Sequence, residues 1–280
     1  MFALFIACEV EPEINIPEAE AEVVVEGWIE NGQSAEVILT LTAPYFTTID
    51  SSNIRDYAIT RAKVRVYTNT EEEVLTLRPN YKYFPPFVYY SSQLKGKIGE
   101  TYHLEVTYLG DTITAVTTIP ELTVIDSAWF EVEPGIDTAG RIWMRFSDYA
   151  GNKDYYRVLT RRMGKDNLFS SSLTSVFSDE TINGKTVEFG FTRGVSNVID
   201  ADQERYFKAG ETVIIKLATM DVDHFNFWNT LQAQVITSAN PFAASNAKVS
   251  SNIINGKGVW GGYAASYDTI RIDSSMIYGE

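Results

Sequence analysis

From Ala21 onward, apolar and polar residues alternate with period two through most of the chain. Val23, Val25 and Ile29 alternate with Val24, Glu26 and Trp28. Tyr102, Leu104, Val106 and Tyr108 alternate with Thr101, His103, Glu105 and Thr107. Val213, Ile215 and Leu217 alternate with Ile214, Lys216 and Ala218. Successive strand residues face opposite sides of a sheet, so this pattern in Val, Ile, Thr and Tyr predicts half-buried strands. Asn31-Gly32, Gly110-Asp111, Asn183-Gly184 and Asn255-Gly256 supply residues that tolerate the positive φ of tight hairpins. Many short strands separated by such turns predict a sandwich or a barrel.

One stretch departs from this pattern. Val222, Phe225, Trp228, Leu231 and Val235 recur at intervals of three and four, which predicts an amphipathic helix near 222–236 with its aromatic stripe against a sheet. Asp221 or Asp223 can cap its start, and Asn240-Pro241 ends it. A weak internal echo also stands out. Lys97-Ile-Gly-Glu-Thr101 and Lys208-Ala-Gly-Glu-Thr212 share Lys, Gly, Glu and Thr, and each leads into an alternating strand. The echo predicts two stacked β-domains. Pro120 cannot donate to a central ladder, so the boundary is placed at Thr118–Glu121. The expected architecture is all-β, with two Ig-like sandwich domains in tandem over 22–119 and 120–280 and one helix in the second.

Composition changes the picture mainly at the N-terminus. The 280 residues are 45% hydrophobic, enough for a real core, and a net charge of −14 argues against generic nucleic-acid binding. One cysteine excludes an internal disulfide, and two histidines exclude a histidine-rich metal site. Eight glutamates and no Lys or Arg lie within residues 1–30. The apolar run Met1–Cys8 is far shorter than the ~20 residues a membrane span needs. It reads as the remnant of a signal peptide over 1–8, lacking its basic leader, with Ala7 before a lipobox-like Cys8 that carries the lipid. Residues 9–21, acidic and holding Pro12 and Pro17, then form an extended, solvated tether.

The candidate chemistry is sparse. Gly256-Lys-Gly-Val-Trp-Gly261 matches GxGxxG, but no helix follows to face a pyrophosphate, so it reads as a glycine-rich turn where chains approach closely. Asp148, Asn152 and Asp154 surround Gly151 with oxygen ligands, yet the spacing fits no EF-hand and Lys153 opposes a cation; an Asx-rich loop is the better reading. No GxSxG motif occurs, and neither His103 nor His224 lies in a nucleophile motif, so no catalytic residue, metal or cofactor is expected. The most unusual segment is Tyr81-Lys-Tyr-Phe-Pro-Pro-Phe-Val-Tyr-Tyr90. Its six aromatics make Tyr81, Tyr83, Phe84, Phe87 and Tyr89 candidates for a glycan or peptide platform, the alternative being a strand whose alternate aromatics enter the core. Pro44-Tyr45-Phe46 is a smaller aromatic loop of the same kind.

The order of several short motifs carries a resemblance. After Cys8 and its acidic residues come Val23-Val-Val-Glu-Gly-Trp-Ile-Glu-Asn-Gly32, Ala43-Pro-Tyr-Phe46, Gly99-Glu-Thr-Tyr102 and Thr117-Thr-Ile-Pro120, which leads into Ile125-Asp-Ser127. Phe227-Trp-Asn-Thr-Leu231, Asn240-Pro-Phe242, Ser251-Asn-Ile253 and Gly256-Lys-Gly-Val-Trp-Gly-Gly-Tyr263 follow, with Trp260 where Phe is expected. In this order they resemble the Bacteroidota lipoprotein family catalogued as domain of unknown function 4249, across essentially the whole chain. The resemblance implies a lipid-anchored outer-membrane lipoprotein, often encoded beside a TonB-dependent receptor, on the periplasmic or cell-surface face. The expected role is non-enzymatic: an accessory or ligand-capture partner of such a transporter. The rival is a free-standing surface module that binds glycan or peptide through Tyr81–Tyr90, and a hydrolase ranks last.

Overall fold

The computed structural model describes residues 21–44, 47–48, 50, 52–172, 175–194, 205–238 and 248–278. Cys8, the tether up to Glu20, Tyr45-Phe46 and Asn240–Phe242 lie outside the described residues. The chain is mostly strand. The first half contains β1 (Val23–Glu30), β2 (Ser34–Leu41), a one-turn helix α1 (Ile54–Tyr57), β3 (Lys63–Tyr67), β4 (Glu72–Val74), β5 (Thr76–Pro79), β6 (Phe87–Lys95), β7 (Thr101–Tyr108) and β8 (Asp111–Thr118). The second contains β9 (Ile125–Val132), β10 (Ala139–Ser147), β11 (Tyr155–Arg162), β12 (Val176–Ser178), β13 (Thr186–Phe191), β14 (Phe207–Lys208), β15 (Thr212–Met220), α2 (Val222–Ser238), β16 (Lys257–Arg271) and α3 (Ser275–Tyr278).

Three sheets organise these strands. A long sheet runs β12-β11-β15-β16-β1-β2-β6-β5, and a four-stranded sheet runs β4-β3-β7-β8. In the third, β10 pairs with β9 along one edge and with β13 and β14 along the other. The alternation fixes which side of each strand is apolar. Val25 and Ile29 of β1 and Trp260 and Ala264 of β16 pack with Tyr102, Leu104 and Val106 of β7 in one core. Val213, Ile215 and Leu217 of β15 pack with Ile142, Met144 and Phe146 of β10 in a second. In the register of β1 on β16 and of β15 on β16, these residues all point to the same face of the long sheet. Both smaller sheets therefore stack side by side on one face, and the opposite face is left to other partners.

The long sheet crosses the boundary expected at 118–121. Strand β1 lies parallel to β16, pairing Val24 with Lys257 through Glu30 with Tyr263, so segments 22–119 and 120–280 share one layer. The same boundary marks the passage from the first core to the second, since β8 closes the first small sheet and β9 opens the other. The internal echo has a structural counterpart. Gly99 and Gly210 both adopt positive φ, near 80°. The Gly99 N–H donates to the Ile119 carbonyl and Ile119 donates back to Glu100. Gly210 and Glu211 do the same with Ile272. Both isoleucines are fully buried. One turn device thus starts the strand pair of each core.

Trp260, fully buried, is the largest side chain at the join. Its indole N–H donates to the Tyr102 carbonyl at 3.0 Å, tying β16 to the small sheet across the core. Gly27 makes room for it: a Cβ there would lie 2.8 Å from Trp260 Cε3. Over-packing of this kind costs about 1–3 kcal/mol. Gly27→Ala is expected to lower the urea midpoint accordingly, and Gly27→Ala with Trp260→Phe to lose less than the sum of the two single changes. Purely additive losses would show that the ring is not what Gly27 accommodates.

Candidate functional site

The open face of the long sheet carries the other half of each alternation. Glu26, Trp28 and Glu30 of β1, Glu36 of β2, Arg157 of β11, Lys216 of β15 and Tyr263 and Tyr267 of β16 stand there. Helix α2 leaves β15 through Asp221 and lies over part of this face. The Asp221 carboxylate accepts the His224 N–H at 2.8 Å, which caps the helix, and also accepts from the Thr117 hydroxyl and the Thr118 N–H, which ties the cap to the end of β8. His224 is buried with its ring on Gly261, where no Cβ could fit. The Phe225 ring packs tilted against Tyr155, centroids 4.6 Å apart, and Trp228 lies under the Arg157 guanidinium at 3.5 Å. The predicted stripe thus faces the sheet through Phe225 and Trp228, while Val222 at its start and Val235 near its end are exposed.

Where helix and sheet diverge, a cavity of about 520 Å³ remains. That is within the ~300–1,000 Å³ typical of small-molecule sites. Gly27, Ala218 and Val259 contribute to its lining beside Trp28, Tyr83, Phe169 and Tyr263, and Glu26, Glu36, Arg157 and Lys216 supply charge. Trp28 and Tyr83 form one aromatic corner, ring centroids 5.6 Å apart.

The electrostatics divide the charged groups into two kinds. Lys216 and Glu30 are both buried and form an ion pair at 2.6 Å. Lys216 also donates to the Tyr263 hydroxyl at 3.2 Å, and Tyr267 donates to the second oxygen of Glu30. This pair is internally satisfied, although burial still pulls the Lys216 pKa down against the pull of Glu30. Glu36 accepts from Tyr83 at 3.4 Å, and burial raises its carboxyl.

Arg157 and Glu26 are different. Among the described residues the guanidinium donates once, to the Ser171 hydroxyl at 3.2 Å, and burial lowers its pKa to about 10 against the opposing effects of Tyr263 and Glu26. Glu26 is reached by solvent inside the cavity yet ringed by protein, so desolvation raises its carboxyl while Arg157 lowers it. Among the described residues, no ion pair links Arg157 to Glu26. Arg157 Nε and Trp228 Nε1 are likewise buried without a hydrogen-bond partner among the described residues. Burial first, then the charges of Arg157 and Lys216, hold His224 neutral with a pKa near 3.

The aromatic segment predicted as a platform is dispersed. Tyr83 lines the cavity, Tyr81 and Phe84 are exposed on the loop before β6, and Phe87 opens that strand half-buried. Tyr89 is a correction to the platform: strand alternation turns it into the first core, where its hydroxyl donates to the Ile59 carbonyl at 3.0 Å. Sequence reasoning missed Arg157, Glu26 and Lys216 because a charge within an alternating strand signals a solvated face. The one available signal was their position on strands whose other face is apolar.

Asp148 and Asp154 of the Asx-rich loop come together with Asp179, carboxylate oxygens within 4.8 Å of one another. Asp148 accepts from Tyr156 and from the Gly184 N–H, and Asp179 accepts from Asn183, so these two carboxylates cross-link loops through protein donors. Desolvation, then the charges of Asp148 and Asp179, raise the Asp154 pKa to about 6. Among the described residues no helix is long and apolar enough to cross a membrane.

A family model described as domain of unknown function (DUF4249) matches residues 9–269. No curated protein matches the chain.

Two outcomes follow from these charges. Removing one member of a buried ion pair strands the other, at about 3–5 kcal/mol. Lys216→Met is expected to destabilise by that order in urea unfolding, and Lys216→Met with Glu30→Gln to recover most of it; a double variant as unstable as the single would refute the pairing. Asp154, with a folded pKa above its ordinary value, favours the folded state when protonated, and this contribution is lost as pH rises from about 4 through about 6. Asp154→Asn should therefore raise the melting temperature at pH 8 and leave it unchanged at pH 3.5.

Proposed function

The chain belongs to the family described as domain of unknown function (DUF4249), and on that premise we propose that it is a non-enzymatic, lipid-anchored capture protein of the outer membrane. It is held through Cys8 and serves a TonB-dependent transporter. One observation carries the capture role: a cavity on the open sheet face whose aromatic and charged lining leaves buried polar atoms without protein partners among the described residues. Buried donors that no protein group satisfies are costly, and a bound ligand offsets that cost. The reading is non-catalytic because the best-placed ionisable pair, Lys216 and Glu30, spends its hydrogen-bonding capacity on itself and on two tyrosines.

Anchoring gives the arrangement its use. Two proteins confined to one membrane meet at a high effective concentration, so a modest interface suffices to hand a ligand on. Several acyl chains, each methylene contributing about 0.8 kcal/mol, hold such a protein firmly. The free-standing binding module is the second reading, favoured by the exposure of Tyr81 and Phe84 near the cavity's Tyr83.

Three measurements on the full-length protein in native membranes separate these. Labelling with an alkyne fatty acid is expected for the wild type and absent for Cys8→Ala. Ala218→Phe, which fills the cavity floor, should abolish the small molecules that mass spectrometry finds released from the purified protein, while transporter co-purification persists. Loss of ligand in Tyr81→Ala/Phe84→Ala with none in Ala218→Phe would instead support the free-standing module.

A further inference from the structure

We infer that the cavity takes a small zwitterion, a free amino acid or short peptide, whose carboxylate sits on Arg157 and whose ammonium group faces Glu26. The inference rests on the capture reading above and adds the chemical class of the ligand.

The charges of the cavity are imbalanced. The cavity lining holds two cations and three carboxylates among the residues described above. Lys216 and Glu30 neutralise each other at 2.6 Å, and Glu36 accepts from the Tyr83 hydroxyl. That leaves one cation, Arg157, and two carboxylates, of which Glu36 already holds the Tyr83 hydroxyl and Glu26 has no hydrogen-bond or ion-pair partner among the described residues; Arg157 and Glu26 stand on strands at opposite sides of β15 and β16. Opposite charges close on each other when their side chains can reach. Here each feels the other's charge and no ion pair forms. Cavity lies between them.

Arg157 is also held in place. Its guanidinium is stacked on Trp228 at 3.5 Å and fixed by Ser171 at 3.2 Å. A guanidinium offers five N–H donors in a planar fork that matches a carboxylate in bidentate fashion. Among the described residues one donor is used, and Nε is buried without a partner. A stacked, oriented fork with free donors is preorganised for a planar anion. Glu26 argues against a polyanion such as a phosphate ester, because it adds a negative charge to the same cavity. It does suit an ammonium group. A ligand bearing both charges at once satisfies both residues and leaves the cavity's net charge unchanged. The Trp28–Tyr83 corner offers an apolar wall for a side chain.

The test uses the full chain and isothermal titration with four probes: alanylphenylalanine, its N-acetyl form, its C-terminal amide, and the neutral sugar maltotriose. The free dipeptide should bind, and each cap should weaken binding at least tenfold. In Arg157→Gln the penalty for amidation should vanish while that for acetylation remains, and in Glu26→Gln the reverse should hold. The wild-type capping series decides the matter even where a variant fails to fold. Equal binding of free and capped dipeptides, or no binding of the free dipeptide, overturns the zwitterion. Maltotriose binding that Ala218→Phe abolishes, with no dipeptide binding, also overturns it and leaves the capture reading standing. Dipeptide binding that survives Ala218→Phe places the ligand elsewhere and overturns both.

Discussion

The parallel pairing of β1 with β16 is the constraint on which the rest of the molecule depends. It joins residues more than two hundred positions apart in seven consecutive register pairs. Strand β16 is long enough to serve two neighbours: its first half pairs with β1 and its second half with β15. Each core borrows from it, Trp260 and Ala264 entering the first and Ile270 packing against the second. Without that shared strand the two small sheets would lie on separate sandwiches, and no continuous open face would exist to carry a cavity.

The same constraint explains why buried charges are tolerated. A sheet covered on both faces is normally apolar on both, as in parallel α/β proteins. Here the second cover is partial. Helix α2 begins one residue after β15 ends and shields part of the face with His224 and Trp228, leaving the remainder for groups too polar for a core. Lys216 and Glu30 meet the cost of burial by pairing, with tyrosines completing their hydrogen bonds. Arg157 meets it incompletely, through one serine and one indole face. That contrast, within one cavity, is why the site reads as a place for a ligand rather than a structural ion cluster.

The repeated turn at Gly99 and Gly210 adds a point about construction. Two glycines with the same φ, the same hydrogen-bond reciprocity and the same buried isoleucine partner start β7 and β15. One strand belongs to the small sheet of the first core and the other to the long sheet, so the local device is shared while its sheet context differs. The capping residue Asp221 then links the halves a second time, accepting from Thr117 and Thr118 at the end of β8.

The sequence by itself determined the elements and their faces. Val25, Tyr102 and Leu217 could be assigned to a core, and 222–236 to a helix, because side-chain direction follows from a period of two or 3.6 along a short stretch. The echo at 97 and 208 and the close approaches around Gly256–Gly261 were legible for the same local reason. The tertiary structure decided which strands became neighbours, and therefore what the polar faces meet. Glu26, Arg157 and His224 lie on three separate elements and gain meaning only when β1 docks on β16 and α2 folds back over them. Tyr89 and Tyr83, six residues apart in one aromatic run, end in a core and in a cavity. Pairing between distant strands is chosen by the summed burial of the whole chain, a quantity that no local window contains.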